Sequence, residues 1–249
     1  MVNITTTLRI GYLLFPAFTA IDVFGPLNVL NLLSLTHPMT LSLVSTDLSP
    51  ISIDRTIVDG APAGSLFASA ASPLFTQLVL PTHSFADAPE FDVIFVPGGY
   101  GTRDLERTAP HVAWLEKRIL GGGVNNSSYH GIGSQPPSPL AYTMSICTGA
   151  SLLARANVLR GRNATTNKAA FNWVRSVPRA ESVNWVPEAR WVVDGNVWTS
   201  AGVSAGTDMT LAWVEALYGR NESERVRNVM EWNAVNRTDD PFAAYFGLV

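Results

Sequence analysis

Short apolar runs bounded by turn residues alternate along this chain with stretches whose apolar positions recur at helical spacing. Leu8 to Phe15, Met39 to Ser45, Val93 to Val96 and Tyr142 to Ile146 read as strands buried on both faces. Asp22 to Leu35, His111 to Leu120, Thr148 to Val158, Lys168 to Arg175, Thr207 to Tyr218 and Glu222 to Glu231 read as helices that cover them. This alternation predicts βα units around a mostly parallel sheet, an α/β fold with helices on both faces. Ser182 to Val186, Arg190 to Val193 and Asn196 to Thr199 predict a small antiparallel addition, the last two joined by a tight hairpin at Asp194-Gly195.

Two segments break the pattern. Residues 59–90 are rich in Ala, Ser and Pro, and residues 121–140 run from Gly121-Gly-Gly123 into Pro136-Pro-Ser-Pro139. Both are expected to be loop insertions in a single domain spanning 1–249. The second leads directly into the strand that ends at Cys147, as a wall or lid over that point or as an ordinary surface insertion.

Composition narrows the function. With 249 residues, a formal charge of −3 and 15% charged residues, the chain has room for an ample core and no basic stripe for nucleic acid. No apolar run reaches the roughly 18 residues of a membrane span. Met1 to Thr7 carries no basic residue ahead of the apolar run at Leu8, so that run is expected to be a strand and not a signal sequence. The single cysteine allows no internal disulfide, which fits a reducing cytoplasmic setting.

That cysteine, Cys147, falls where the run Ala141 to Ile146 meets the helical pattern from Thr148. A sulfur there faces unpaired N–H groups and the positive end of a helix dipole, which favour thiolate over thiol. The competing reading is an inert buried cysteine. A second strand ends in Val96-Pro-Gly-Gly-Tyr-Gly101, where Gly98, Gly99 and Gly101 let backbone approach a ligand and point N–H groups at developing negative charge. Asp22 follows the first strand and precedes a helix, either as a helix cap or as a site carboxylate. In an open α/β sheet, turns at the carboxyl ends of central strands gather in one crevice, which would bring Asp22, Gly98 to Gly101 and Cys147 together.

In this order, Phe15-Pro16, Ala20-Ile-Asp-Val-Phe-Gly-Pro26, Val96-Pro-Gly-Gly-Tyr-Gly101, Ser145-Ile-Cys-Thr-Gly-Ala150, Gly161-Arg-Asn-Ala-Thr-Thr166 and Trp198-Thr-Ser-Ala-Gly-Val-Ser-Ala-Gly-Thr-Asp208 resemble the ThiJ/PfpI superfamily, the class I glutamine-amidotransferase-like proteins. Within it the chain looks most like isocyanide (isonitrile) hydratases and their fungal relatives. The resemblance implies a flavodoxin-like sandwich, Cys147 as nucleophile, and Asp22 as the acid/base carboxylate where deglycase-like branches have glutamate. Thr148 stands where protease-like and glyoxalase-like branches carry histidine, and Asn167-Lys168 stands where some relatives place histidine. His37, His83, His111 and His130 suggest neither a triad nor a metal site by their spacing. His130, in the insertion before the catalytic strand, is an outside candidate for reaching the pocket.

The reaction implied is cysteine-dependent hydration of an isocyanide to an N-substituted formamide. Thiolate Cys147 attacks the terminal carbon, Asp22 delivers a proton, and water resolves a thioimidate. Thr148 and N–H groups around Gly98, Gly99 and Tyr100 would steady the charge, with Tyr100, Tyr129 and Trp173 lining an apolar pocket or simply packing. Two other readings use the same residues: glyoxalase- or deglycase-like action on reactive aldehydes, and a non-catalytic redox sensor or binding protein in which Cys147 is oxidised or caps a ligand pocket. The expected partners are a small-molecule substrate and, from relatives, a second copy in a homodimer. No cofactor, metal, nucleic acid or membrane is expected.

Overall fold

A computed structural model describes residues 7–54, 76–121 and 140–249. The insertions foreseen at 59–90 and 121–140 therefore lie largely outside the described residues, as do Tyr129 and His130. The strands are β1 (Leu8–Leu13), β2 (Met39–Ser45), β3 (Ile51–Ser52), β4 (Leu78–Val79), β5 (His83–Ser84), β6 (Val93–Val96), β7 (Tyr142–Ser145), β8 (Asn163–Ala164), β9 (Asn184–Trp185), β10 (Trp191–Asp194) and β11 (Val197–Ser200). The helices are α1 (Ala20–Leu33), α2 (Ala109–Leu120), α3 (Gly149–Arg155), α4 (Phe171–Ser176), α5 (Ala205–Tyr218), α6 (Arg220–Val229) and α7 (Phe242–Tyr245).

Seven strands form one sheet in the order β10-β11-β7-β6-β1-β2-β5. Every pairing in it is parallel except β10 with β11. The central strands are buried on both faces, β6 and β11 along their whole length, which is why they read as unbroken apolar runs. On one face Tyr12 stacks on Phe95, and Phe95 and Tyr142 meet Trp213 of α5 edge-on. Helices α1 and α6 pack beside α5, whereas α2, α3 and α4 pack together as a second group. The chain leaves β1 through α1 toward β2 and returns to place β6 on the other side of β1. The crevice at that reversal is where the sequence predicted the site.

The predicted elements differ from the observed ones in a few places, each for a local reason. Helix α3 stops at Arg155, short of Val158, because Asn157 turns left-handed at φ 61°. Helix α4 starts three residues late, since Asn167 accepts the N–H of Ala170 and Lys168 turns inward to a buried ion pair. The Asp194-Gly195 hairpin forms, but through β11 it is the antiparallel edge of the main sheet. The segment expected to extend it, at 182–186, pairs instead in parallel with β8 as β9. A further antiparallel pair, β3 with β4, and the edge strand β5 occupy residues near or within the first predicted insertion.

Two buried ion pairs fasten the C-terminal residues to this frame. Arg190 reaches Asp208 of α5 at 2.6 Å, and Asp208 also accepts Trp232 Nε1 at 2.7 Å. Lys168 reaches Asp240 at 3.5 Å and donates to Thr165 Oγ1 and the Ala189 carbonyl, both at 2.8 Å. Removing one member of a buried pair strands the other without compensation. Asp208→Asn is therefore expected to lower stability by about 3 kcal/mol, measured by urea unfolding followed by tryptophan fluorescence.

Candidate active site

Three turns meet at the carboxyl ends of β1, β6 and β7. The turn after β1 runs alongside the turn after β6: Thr19 N–H donates to the Gly98 carbonyl at 2.9 Å, and Gly101 N–H to the Ala17 carbonyl at 3.1 Å. Gly99 sits there at φ 146°, and a Cβ on it would lie 2.5 Å from the Ala17 carbonyl oxygen. A Cβ on Gly98 would lie 2.5 Å from the Thr148 nitrogen and 2.8 Å from Cys147 Cβ. Only glycine lets the two turns close on the cysteine.

Cys147 occupies the left-handed region at φ 56°, a conformation costing a non-glycine residue about 1–3 kcal/mol. Its backbone is held from both sides. Its N–H donates to the Ser200 carbonyl at the end of β11 at 3.2 Å, and its carbonyl accepts the Thr166 hydroxyl at 2.8 Å. The residue retains 7% exposure, and its sulfur accepts hydrogen bonds from the Thr148 N–H and hydroxyl and from the Asn167 side chain. Because Asn167 Oδ1 takes the Ala170 N–H, its amide nitrogen is the group left for the sulfur.

Asp22 lies in the first turn of α1, fully buried, with Thr19 at the N-cap position. It is not the helix cap; its carboxyl turns into the crevice. Oδ2 accepts the Gly98 N–H at 2.9 Å, and the Cys147 thiol bonds to the same carboxyl. Oδ1 has no other well-aligned donor among the described residues. Pro26 fixes the backbone here. It has no N–H to donate to the carbonyl four residues back, which belongs to Asp22, and the Tyr12 hydroxyl on β1 donates to that carbonyl in its place.

Burial sets the protonation of the pair. It raises the Asp22 carboxyl from 3.8 to about 7, against the lowering effect of the Gly98 N–H and the Cys147 thiol. It also pushes the Cys147 thiol well above its ordinary value; the Asp22 charge adds to the rise, and the donors from Thr148 and Asn167 oppose it. The expectation of a thiolate stabilised by the helix is thus reversed. Helix α3 is only seven residues long, and its dipole is outweighed by desolvation and an adjacent carboxylate.

The other predicted site residues divide. The N–H groups of Gly98 and Gly99 are spent inside the protein, the first on Asp22 and the second on Thr148 Oγ1 at 2.9 Å. They shape the site and leave no free donor pair for a substrate oxyanion. The Thr102 hydroxyl lies 2.8 Å from the Gly99 carbonyl and 3.1 Å from Thr148 Oγ1, which itself lies 3.2 Å from that carbonyl. Tyr100 opens a 3-10 turn through Arg103, whose guanidinium lies 4.4 Å over the Trp173 ring and 5.6 Å from that of Tyr100. Burial lowers the Arg103 pKa, and a charge on Cys147 would raise it. Neither Arg103 nor Thr166 was foreseen from sequence. His111 is buried beside Phe15 and Phe85, its pKa driven down to about 4 by desolvation, and takes no part in the crevice.

An α/β sheet with a strained cysteine elbow and a buried acid at its switch point resembles the DJ-1/ThiJ/PfpI proteins in fold. Residues 141–216, from β7 through Cys147 to α5, match the DJ-1/PfpI family. The chain is 28% identical over 226 residues to isonitrile hydratase of Pseudomonas putida, covering 90% of this chain and 78% of that protein. By fold it resembles a ThiJ/PfpI family protein from Pseudomonas syringae, with a TM-score of 0.67, 23% identity, and coverage of 99% of this chain and 87% of that one. It also resembles DJ-1beta of Drosophila melanogaster, with a TM-score of 0.64, 17% identity, and coverage of 93% and 100%.

The pair makes two predictions with defined sign. Asp22→Asn removes the charge that opposes ionisation of Cys147, so alkylation of this single cysteine by iodoacetamide is expected to begin at lower pH than in the wild type. The folded chain also holds a proton on Asp22 that the unfolded chain releases. That carboxyl's contribution to stability is fully present below its ordinary 3.8 and is lost as pH rises through about 7. The loss is on the order of 4 kcal/mol, so the urea midpoint of Asp22→Asn should gain on the wild type across that interval.

Proposed function

We propose that this protein hydrates an isocyanide to the corresponding N-substituted formamide, with Cys147 as nucleophile and Asp22 as the group that carries the proton. The observation that bears most weight is a fully buried carboxyl, held by the Gly98 N–H, beside a buried thiol, where desolvation raises the carboxyl pKa to about 7. A base poised near neutrality beside a nucleophile that holds its own proton suits a substrate whose carbon needs both a nucleophile and a proton. The similarity to isonitrile hydratase supports the same reading.

The reactive resting form is thiol with carboxylate. As sulfur bonds to the isocyanide carbon, Asp22 takes the thiol proton and passes it to that carbon, giving a formimidothioate linked to Cys147. Water then adds to the carbon, one of its protons going to Asp22 and the other to the nitrogen, which leaves a tetrahedral alkoxide. The carbon–sulfur bond breaks, the formamide leaves, and Asp22 returns its proton to the sulfur. The Thr148 and Asn167 donors lie where they steady the departing thiolate. With Thr148 after the cysteine, its hydroxyl tied to Gly99, the elbow offers no imidazole of the kind the aldehyde branches use.

Formamide production from an alkyl isocyanide tests this. Cys147→Ala should abolish it, and Asp22→Asn should lower kcat by roughly 10²- to 10⁴-fold. Because Asp22 acts first as a base, kcat/KM should rise with pH through about 7. It should fall again at high pH, when the thiol has lost the proton the carbon requires; the two ionisations belong to the pair. Conversion of methylglyoxal to lactate without isocyanide turnover would replace this reading with aldehyde chemistry.

A further inference from the structure

A cavity of about 460 Å³, within the range of small-molecule sites, opens beside Ile21 and Asn167, the neighbours of the buried acid and the sulfur. Ile21, Asn167, Val203, Phe242, Tyr245 and Phe246 line it. Asn167 belongs to both places, since its amide bonds to the Cys147 sulfur and its side chain borders the cavity. Ile21 directly precedes Asp22; the aspartate points inward with no exposure, while Ile21 stays 42% exposed on the cavity side of α1. The far wall is α7 and the residue after it, whose rings stand partly in water, Phe242 at 50% and Phe246 at 44% exposure.

That wall is fixed in place. Asp240, two residues before Phe242, is paired in the interior with Lys168, which directly follows Asn167. The tail is thereby tied to the segment that touches the sulfur. Among the described residues Lys168 is the one cation bordering the cavity, and its ammonium is engaged by Asp240, Thr165 and Ala189. Among the described lining residues no other charged side chain is present to compensate a charged group taken out of water.

We propose that this cavity seats the organic substituent of the substrate attacked by Cys147, and that Phe242 and Phe246 select a bulky, uncharged hydrocarbon substituent over a compact or charged one. The proposal rests on the hydration reading for what the reactive end of the substrate is. An apolar ring entering the cavity would cover the exposed faces of the two phenylalanines while its isocyanide carbon reaches past Asn167 to the sulfur. The selectivity expected of such an apolar pocket is modest per group and grows with the size of the substituent.

The test compares kcat/KM for cyclohexyl isocyanide, methyl isocyanide and isocyanoacetate in the wild type, Phe246→Asp and Phe246→Leu. Binding of N-cyclohexylformamide is measured alongside by calorimetry in the Cys147→Ala background, with and without Phe246→Asp. The wild type should prefer cyclohexyl isocyanide to both others. Phe246→Asp should lower the cyclohexyl-to-methyl ratio about tenfold or more and weaken formamide binding in step, and Phe246→Leu should retain both. An unchanged ratio with turnover intact overturns the cavity assignment and spares the hydration reading. Formamide binding that Phe246→Asp weakens, in a protein that turns over no isocyanide, supports the cavity and overturns the hydration reading. Sedimentation showing that Phe246→Asp only splits an oligomer, with ratio and binding unchanged, would make this face an interface between copies and overturn the proposal.

Discussion

A carboxyl and a thiol buried against each other compete for a single negative charge, and the rest of the site is built around that competition. Water is excluded from both, so each acid is reluctant to ionise; a charge on the carboxyl holds the thiol proton more firmly, while the thiol as a donor favours the carboxylate. The surrounding donors do not restore a free anion. They divide between the partners, Gly98 serving the oxygen and Thr148 with Asn167 serving the sulfur. The site thus keeps its proton inside the pair at neutral pH, where a thiolate held beside a cation would have surrendered it.

The polypeptide spends conformational energy to hold this arrangement. The left-handed turn at Cys147 persists because its N–H is gripped by Ser200 and its carbonyl by Thr166. Of the two glycines before Tyr100, Gly98 carries no side chain because the cysteine elbow occupies the space, and Gly99 because the turn after β1 does. Such contacts explain why strain is tolerated at the cysteine elbow.

Much of this was legible in the chain. Strands buried on both faces announce themselves as apolar runs, and a lone cysteine at a strand-to-helix junction stands out without any partner being known. Asp22 was visible as an acid after the first strand, although sequence left open whether it capped a helix. What could not be read were the cross-chain bonds. Asp22 meets Gly98 from 76 residues away, Thr148 meets Gly99 across 49, and Thr166 reaches the cysteine carbonyl across 19. The direction of the Cys147 shift was hidden for the same reason, since local sequence shows the helix that lowers it but not the burial that raises it. The β8–β9 pair was misjudged because two-residue strands carry too little pattern to fix the sense of their pairing.

Pro26 carries a consequence for mechanics. By denying Asp22 the bond that would bind it to the next turn of its own helix, it hands that residue to Tyr12 on β1. Cys147 likewise hangs from β11 through Ser200. Acid and sulfur are therefore both moored to the sheet, the stiffest layer of the molecule, and their spacing is insulated from sliding of the helices that cover it.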